Sequence, residues 1–174
     1  MNARSTYYYA GRERVPLELD GDYVAINMGH AKARGLDPEF VASIRPHMSV
    51  LPGGGLVVVP TAVVPETIRA GLEKAGTLQP VYRSGAARMV PYPEVRVHVE
   101  PGEKRKLLST VKASKIPADV SPEDHGDIVL RPRSGSGEDA LALANFVYEK
   151  TRPEMAQARF VRIVPRPDAQ PRVR

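Results

Sequence analysis

Val95-Arg96-Val97-His98-Val99, with Glu94 before it and Glu100-Pro101-Gly102 after it, alternates apolar and polar side chains without a break. A period of two puts the valines on one face of a strand and Arg96 and His98 on the other, which is a half-buried β-strand. Downstream, Glu103 to Val111 reads as a helix with Leu107, Leu108 and Val111 inward. Ile116 to Val120 is a weak strand broken by Pro117, and Ile128-Val129-Leu130 is a firm one. Glu138 to Lys150 is the strongest helical segment. Ser136 starts it, Asp139 follows three residues on, and Ala140, Leu143, Ala144 and Val147 form its apolar face. Phe160 to Val164 closes the series.

The same order is legible upstream. Tyr23 to Met28 is a strand, and Asp37 with Pro38 has the residue types of an N-cap and first helical position. Phe40, Val41 and Ile44 mark one face of that helix, which Arg45-Pro46 ends. Ser49 to Leu51 and Leu56 to Val59 are strands around Pro52-Gly53-Gly54-Gly55. Pro65-Glu66 opens a helix with the stripe Ile68, Leu72 and Ala75, Gly76 stops it, and Leu78 to Tyr82 is the last strand. Tyr23 and Val95, Ala25 and Val97, Leu56 and Ile128, Val58 and Leu130, and Glu66 and Glu138 are each 72 positions apart. A recurring element order at a constant offset predicts two duplicated units. Each is β-α-β-β-α-β, the ferredoxin-like order, with two helices on one face of its own sheet. Tyr7-Tyr8-Tyr9, a turn at Ala10 to Glu13 and Arg14 to Leu19 form a hairpin ahead of them.

The expected organisation of this α+β chain is therefore a hairpin over 1–20, a first unit over 21–85, a linker over 86–93, a second unit over 94–165 and a tail over 166–174. The linker rests on the small residues and prolines of Arg83 to Pro93, and Met155 to Ala158 reads as an insertion.

Chemistry is sparse. No cysteine is present, which excludes disulfides, thiolate metal sites and cysteine catalysis. The four histidines, His30, His47, His98 and His125, lie in no nucleophile context, and there is no G-x-S-x-G elbow. His125 stands among Glu123, Asp124 and Asp127, which reads as a solvated polar loop without cation-loop spacing. Pro52 to Gly55 lacks the Gly-Lys-Ser/Thr ending of a phosphate loop and leads into a strand, so it is a turn. The expectation is a protein that is not an enzyme and needs no cofactor. A net charge of +5, with 18 arginines among 25 basic residues, leaves an anionic partner open. No apolar run is long enough for a membrane span and no apolar leader precedes Tyr9, from which a cytoplasmic location is expected.

Tyr7-Tyr8-Tyr9-x-Gly11-x-x-x-Val15-Pro16-Leu17-x-Leu19 resembles the start of some bacterial subtilisin-like serine proteases, where a Tyr-rich hairpin precedes prodomain units. Glu94 to Gly102 is similar to the first strand of that prodomain, Gly137 to Ala144 to its second helix, and Arg159 to Pro165 to its closing strand. The resemblance implies a propeptide-like inhibitor or folding partner of a subtilisin-like protease, acting in cis as a precursor or in trans. It also implies a docking strand through Phe160, Arg162 and Val164, and a product-like tail, Pro171, Arg172, Val173 and Arg174, laid in the substrate cleft. The catalytic domain is missing from this sequence. Arg162 and Val164 stand where family members often carry acidic residues facing helix N-termini of the protease. The alternative reading is a ferredoxin-like module that binds nucleic acid through an Arg-rich surface, although the central strands lack a stacking pair of aromatics.

Overall fold

The structure, a computed structural model, describes residues 6–29, 36–53 and 55–163. The strands are β1 (Thr6–Ala10), β2 (Glu13–Asn27), β3 (Ser49–Val50), β4 (Leu56–Pro60), β5 (Leu78–Ser84), β6 (Ala87–His98), β7 (Ala118–Val120), β8 (Asp127–Pro132) and β9 (Met155–Ile163). The helices are α1 (Pro38–Ile44), α2 (Glu66–Lys74), α3 (Lys104–Ala113) and α4 (Gly137–Thr151). Local chemistry sets the helix starts: the Asp37 carboxylate accepts from the Glu39 N–H at 2.9 Å, and Ser136 Oγ accepts from the Asp139 N–H at 3.3 Å. None of these helices is long and apolar enough to cross a membrane.

All strand pairs are antiparallel, and the path runs β3-β4-β2-β5-β6-β8-β7, with β1 added to β2 and β9 to β6. In each half the first strand is therefore central, flanked by the third and the fourth. The two halves do not keep separate sheets, as the sequence led us to expect; their strands are hydrogen-bonded into one. The cause is the segment read as a linker. Residues 86–93 belong to a hairpin in which Tyr82, Arg83 and Ser84 pair with Met89, Arg88 and Ala87, and β6 runs on unbroken to His98. Pro91 and Pro93, which have no N–H to donate, lie where the β6–β9 register shifts between Pro91 and Val95. The first half repeats the arrangement: β2 is one long strand with a register shift between Leu19 and Val24, and it runs through the boundary expected between a hairpin ending at residue 20 and a first unit starting at 21. Met155 to Ala158 is no insertion, since Ala156 and Ala158 pair with Val97 and Val95 and are buried.

Parity along the strands divides the core. Val95, Val97, Ile128, Leu130, Ala156 and Ala158 face α3 and α4. Leu108 is not part of that layer and stays 40% exposed, because Leu107 and Val111 already fill the inward side of α3. Ile26, Val57 and Val59 face α1 and α2 through Phe40, Ile44 and Leu72. The helix-free side of the first half is also buried: Ala25, Val58, Val81 and Val90 form a third cluster joined by Tyr92, Val161 and Ile163. The β3–β4 turn reaches that side, where Pro52, Gly53 and Gly55 share a small recess with Tyr92, Arg159 and Val161.

Candidate binding interface

The helix-free face of the second half is polar and open. On β6 it carries Glu94, Arg96 and His98; on β8, Val129 and Arg131; on β9, Gln157 and Arg159. Their neighbours in sequence are the buried residues of the helix-facing layer, so alternation forces them to the other side. Val95 pairs with Leu130 on one side and Ala158 on the other, which sets Arg131 and Arg159 on either flank of Glu94. The Glu94 side chain is only 8% exposed. Around it stand Arg131 Nη2 at 3.3 Å, Arg96 Nε at 3.5 Å and Arg159 Nη1 at 3.7 Å. The three arginine side chains are 58%, 63% and 49% exposed. The Arg159 guanidinium also lies over the Tyr92 ring, 5.0 Å from its centre.

The first half has a counterpart that is closed. Asp20 lies in the register shift of β2 as Glu94 lies in that of β6, and its side chain is fully buried. Arg83 Nη2 donates to Oδ1 and Arg88 Nε to Oδ2, both at 2.9 Å. The bond from Arg83, helped by that from Arg88 and opposed by burial, holds the Asp20 carboxyl down at about 2. Arg88 is further fixed over the Tyr23 ring at 4.0 Å.

At the far end of the open face, His98 Nδ1 contacts Asp127 Oδ1 at 2.7 Å and Nε2 faces Glu154 at 3.6 Å. The hydrogen bond to Asp127 raises the His98 pKa above its ordinary value, against a smaller opposing effect of burial. Arg133 Nε donates to Asp119 at 2.8 Å on the β7 side. His125 is almost fully exposed beside Asp124, and no three His, Asp or Glu side chains converge as metal ligands among the described residues.

A groove of about 490 Å³ between β1 and α4 is a further polar concavity, lined by Tyr7, Tyr82, Glu138, Asn145 and Glu149 among others. Its polar groups are bonded to one another. Tyr7 and Tyr9 hydroxyls donate to Glu149 at 2.7 and 3.0 Å, Tyr82 donates to Glu138 at 3.2 Å, and Asn145 donates to the Tyr7 carbonyl at 2.8 Å. Burial, and then the Glu138 charge, push the Tyr82 phenol up. With Tyr8 against Phe160 and Tyr9 against Tyr148, the three tyrosines fasten the hairpin to the second half.

The sequence-derived site residues fall as follows. Phe160 is on the helix-facing side of β9, stacked on Tyr8 with ring centres 5.2 Å apart. Arg162 shares that parity and is exposed. Val164 and the tail Pro171, Arg172, Val173 and Arg174 lie outside the described residues. The residues of β9 on the open face are instead Gln157 and Arg159. The Glu94 cluster was missed because its members come from three strands. Its only trace in sequence is an arginine at a polar strand position in each: 96, 131 and 159. Comparison with protein-family models and with curated proteins finds no match to this chain.

Proposed function

We propose that this chain is a non-catalytic binding protein, a prodomain-like inhibitor or folding partner of a subtilisin-like serine protease, with the complex forming in the cytoplasm. In this reading the two halves are tandem ferredoxin-like units that the β5–β6 hairpin has merged into one sheet. The observation that carries the reading is the asymmetry of the two helix-free faces. That of the first half is filled by an apolar cluster to which β6 and β9 add Val90, Tyr92, Val161 and Ile163, whereas the part of the second half around Glu94 is uncovered. β9 runs along its margin toward the C-terminal segment. A rigid, pre-ordered face lowers the ordering cost of docking, and an extended segment beyond it adds strand-like hydrogen bonds in a cleft. Repetition of the strand order in both halves supports the unit assignment.

The test is inhibition of subtilisin-like proteases by the purified chain, read by hydrolysis of a chromogenic peptide, together with recovery of activity when the denatured protease is refolded beside it. Inhibition or rescue is expected at or below about 10 μM, and neither effect at that concentration would sink the reading. Removal of residues 168–174 should weaken inhibition at least about tenfold, roughly 1.4 kcal/mol. The second reading, nucleic-acid binding, is favoured by the same three arginines. Phosphate-driven binding would fall steeply with salt, and protease docking much less.

A further inference from the structure

We infer that the open face of the second half is a carboxylate receptor, and that its partner is an acidic protein surface presenting at least two carboxylates to Arg96, Arg131 and Arg159. This rests on the binding reading above only in naming that face as the contact.

Each guanidinium offers five N–H donors, and one carboxylate has room for about four hydrogen bonds. At Asp20 two arginines meet one carboxylate, and both bonds close at 2.9 Å. At Glu94 three arginines surround one carboxylate, and the approaches are 3.3, 3.5 and 3.7 Å, of which only the Arg131 contact is a hydrogen bond. Most donors of the cluster have no protein acceptor among the described residues, and the group of four side chains carries a formal surplus of two positive charges. Its geometry is nonetheless held: Glu94 is buried, Arg159 rests on Tyr92, and all three arginines rise from hydrogen-bonded strands. Planar forks fixed beside one another suit bidentate carboxylates, and each that arrives relieves the repulsion among the cations.

The surroundings favour a compact acidic surface over a nucleic acid. The patch is rimmed by Asp119, Asp127 and Glu154, each largely exposed, which confine the surplus positive charge to the three arginines and so suit carboxylates presented at one spot over a phosphate backbone running on past them. Among the described residues, β6 and β8 offer Arg96, His98, Val129 and Arg131 on this face. The Tyr92 ring is partly buried and already covered by Arg159, and the His98 imidazole is held between Asp127 and Glu154, which leaves no free phenol or indole for a base to stack on. For a protease partner, the contact would then be an acidic patch, in place of the helix N-termini that acidic prodomain strands address.

The test is fluorescence anisotropy with a labelled peptide of alternating aspartate and glutamate and with a single-stranded RNA of equal charge. The full chain is compared with the triple variant R96A/R131A/R159A and with R96A alone, the most exposed of the three, in case the triple variant does not fold. The full chain should bind the peptide more tightly than the RNA. The triple variant should bind the peptide at least about tenfold more weakly, and R96A about threefold more weakly. Peptide binding unchanged in R96A and the triple variant, or RNA binding as tight as peptide binding, would overturn the inference. The same proteins separate it from the protease reading. Inhibition that survives the triple substitution would overturn the receptor and leave that reading standing, whereas peptide binding without protease inhibition would do the reverse.

Discussion

Gln79 and Gly137 lock the two halves together: the Gln79 Oε1 accepts from the Gly137 N–H at the first residue of α4. The same amide donates to the Gly76 carbonyl at 2.9 Å and the Gly135 carbonyl at 3.0 Å, and the side chain is fully buried. A Cβ at Gly137 would collide with the Pro91 carbonyl, and one at Gly76 with the Ser134 carbonyl, so the approach depends on both glycines. Gln79→Ala would strand one donor and two acceptors, at a cost of about 3 kcal/mol. Urea denaturation measures it. A loss below about 1 kcal/mol would mean that water replaces the amide.

Asp20 predicts an acid limb. Its carboxyl falls from 3.8 unfolded to about 2 folded, so its contribution is fully present above the unfolded value and is lost as pH falls through the folded one. Asp20→Asn should therefore cost about 2 kcal/mol near neutrality, with the gap to the unsubstituted protein closing between pH 4 and pH 2. Denaturation curves across that range decide it, and a gap independent of pH would refute the assignment.

His98 predicts the opposite slope. Its folded pKa is raised above 6.5, so the stabilisation by Asp127 and Glu154 is complete below 6.5 and disappears as pH rises through the folded value. The melting temperature should decline over that interval, and His98→Gln should flatten the decline. An equal decline in the variant would assign the slope to another group.

Thr77 is 1% exposed, and its hydroxyl has no hydrogen-bond partner among the described residues. Thr77→Val keeps the shape and removes the unpaired group, so stability should hold or rise by about 1 kcal/mol. A clear loss in thermal melting would reveal a partner for the hydroxyl.

Local structure was legible in the residues themselves. Alternation at Val95 to Val99, the stripes of α2 and α4, and the caps at Asp37 and Ser136 act over a few residues, so their physics is written in neighbouring letters. The 72-residue offset showed that the element order is repeated. Tertiary structure decided what depends on register between distant segments. Arg83 to Pro93 reads as a linker because its prolines and small residues disfavour a regular ladder. Pairing with β5 and β9 makes it a strand, with the prolines absorbed at the register shift. Burial of one helix-free face and exposure of the other follow from that merger. Glu94, Arg131 and Arg159 meet only because Leu130 and Ala158 both pair with Val95. A shift of one residue in either strand would turn its arginine to the opposite face, since side chains alternate with period two.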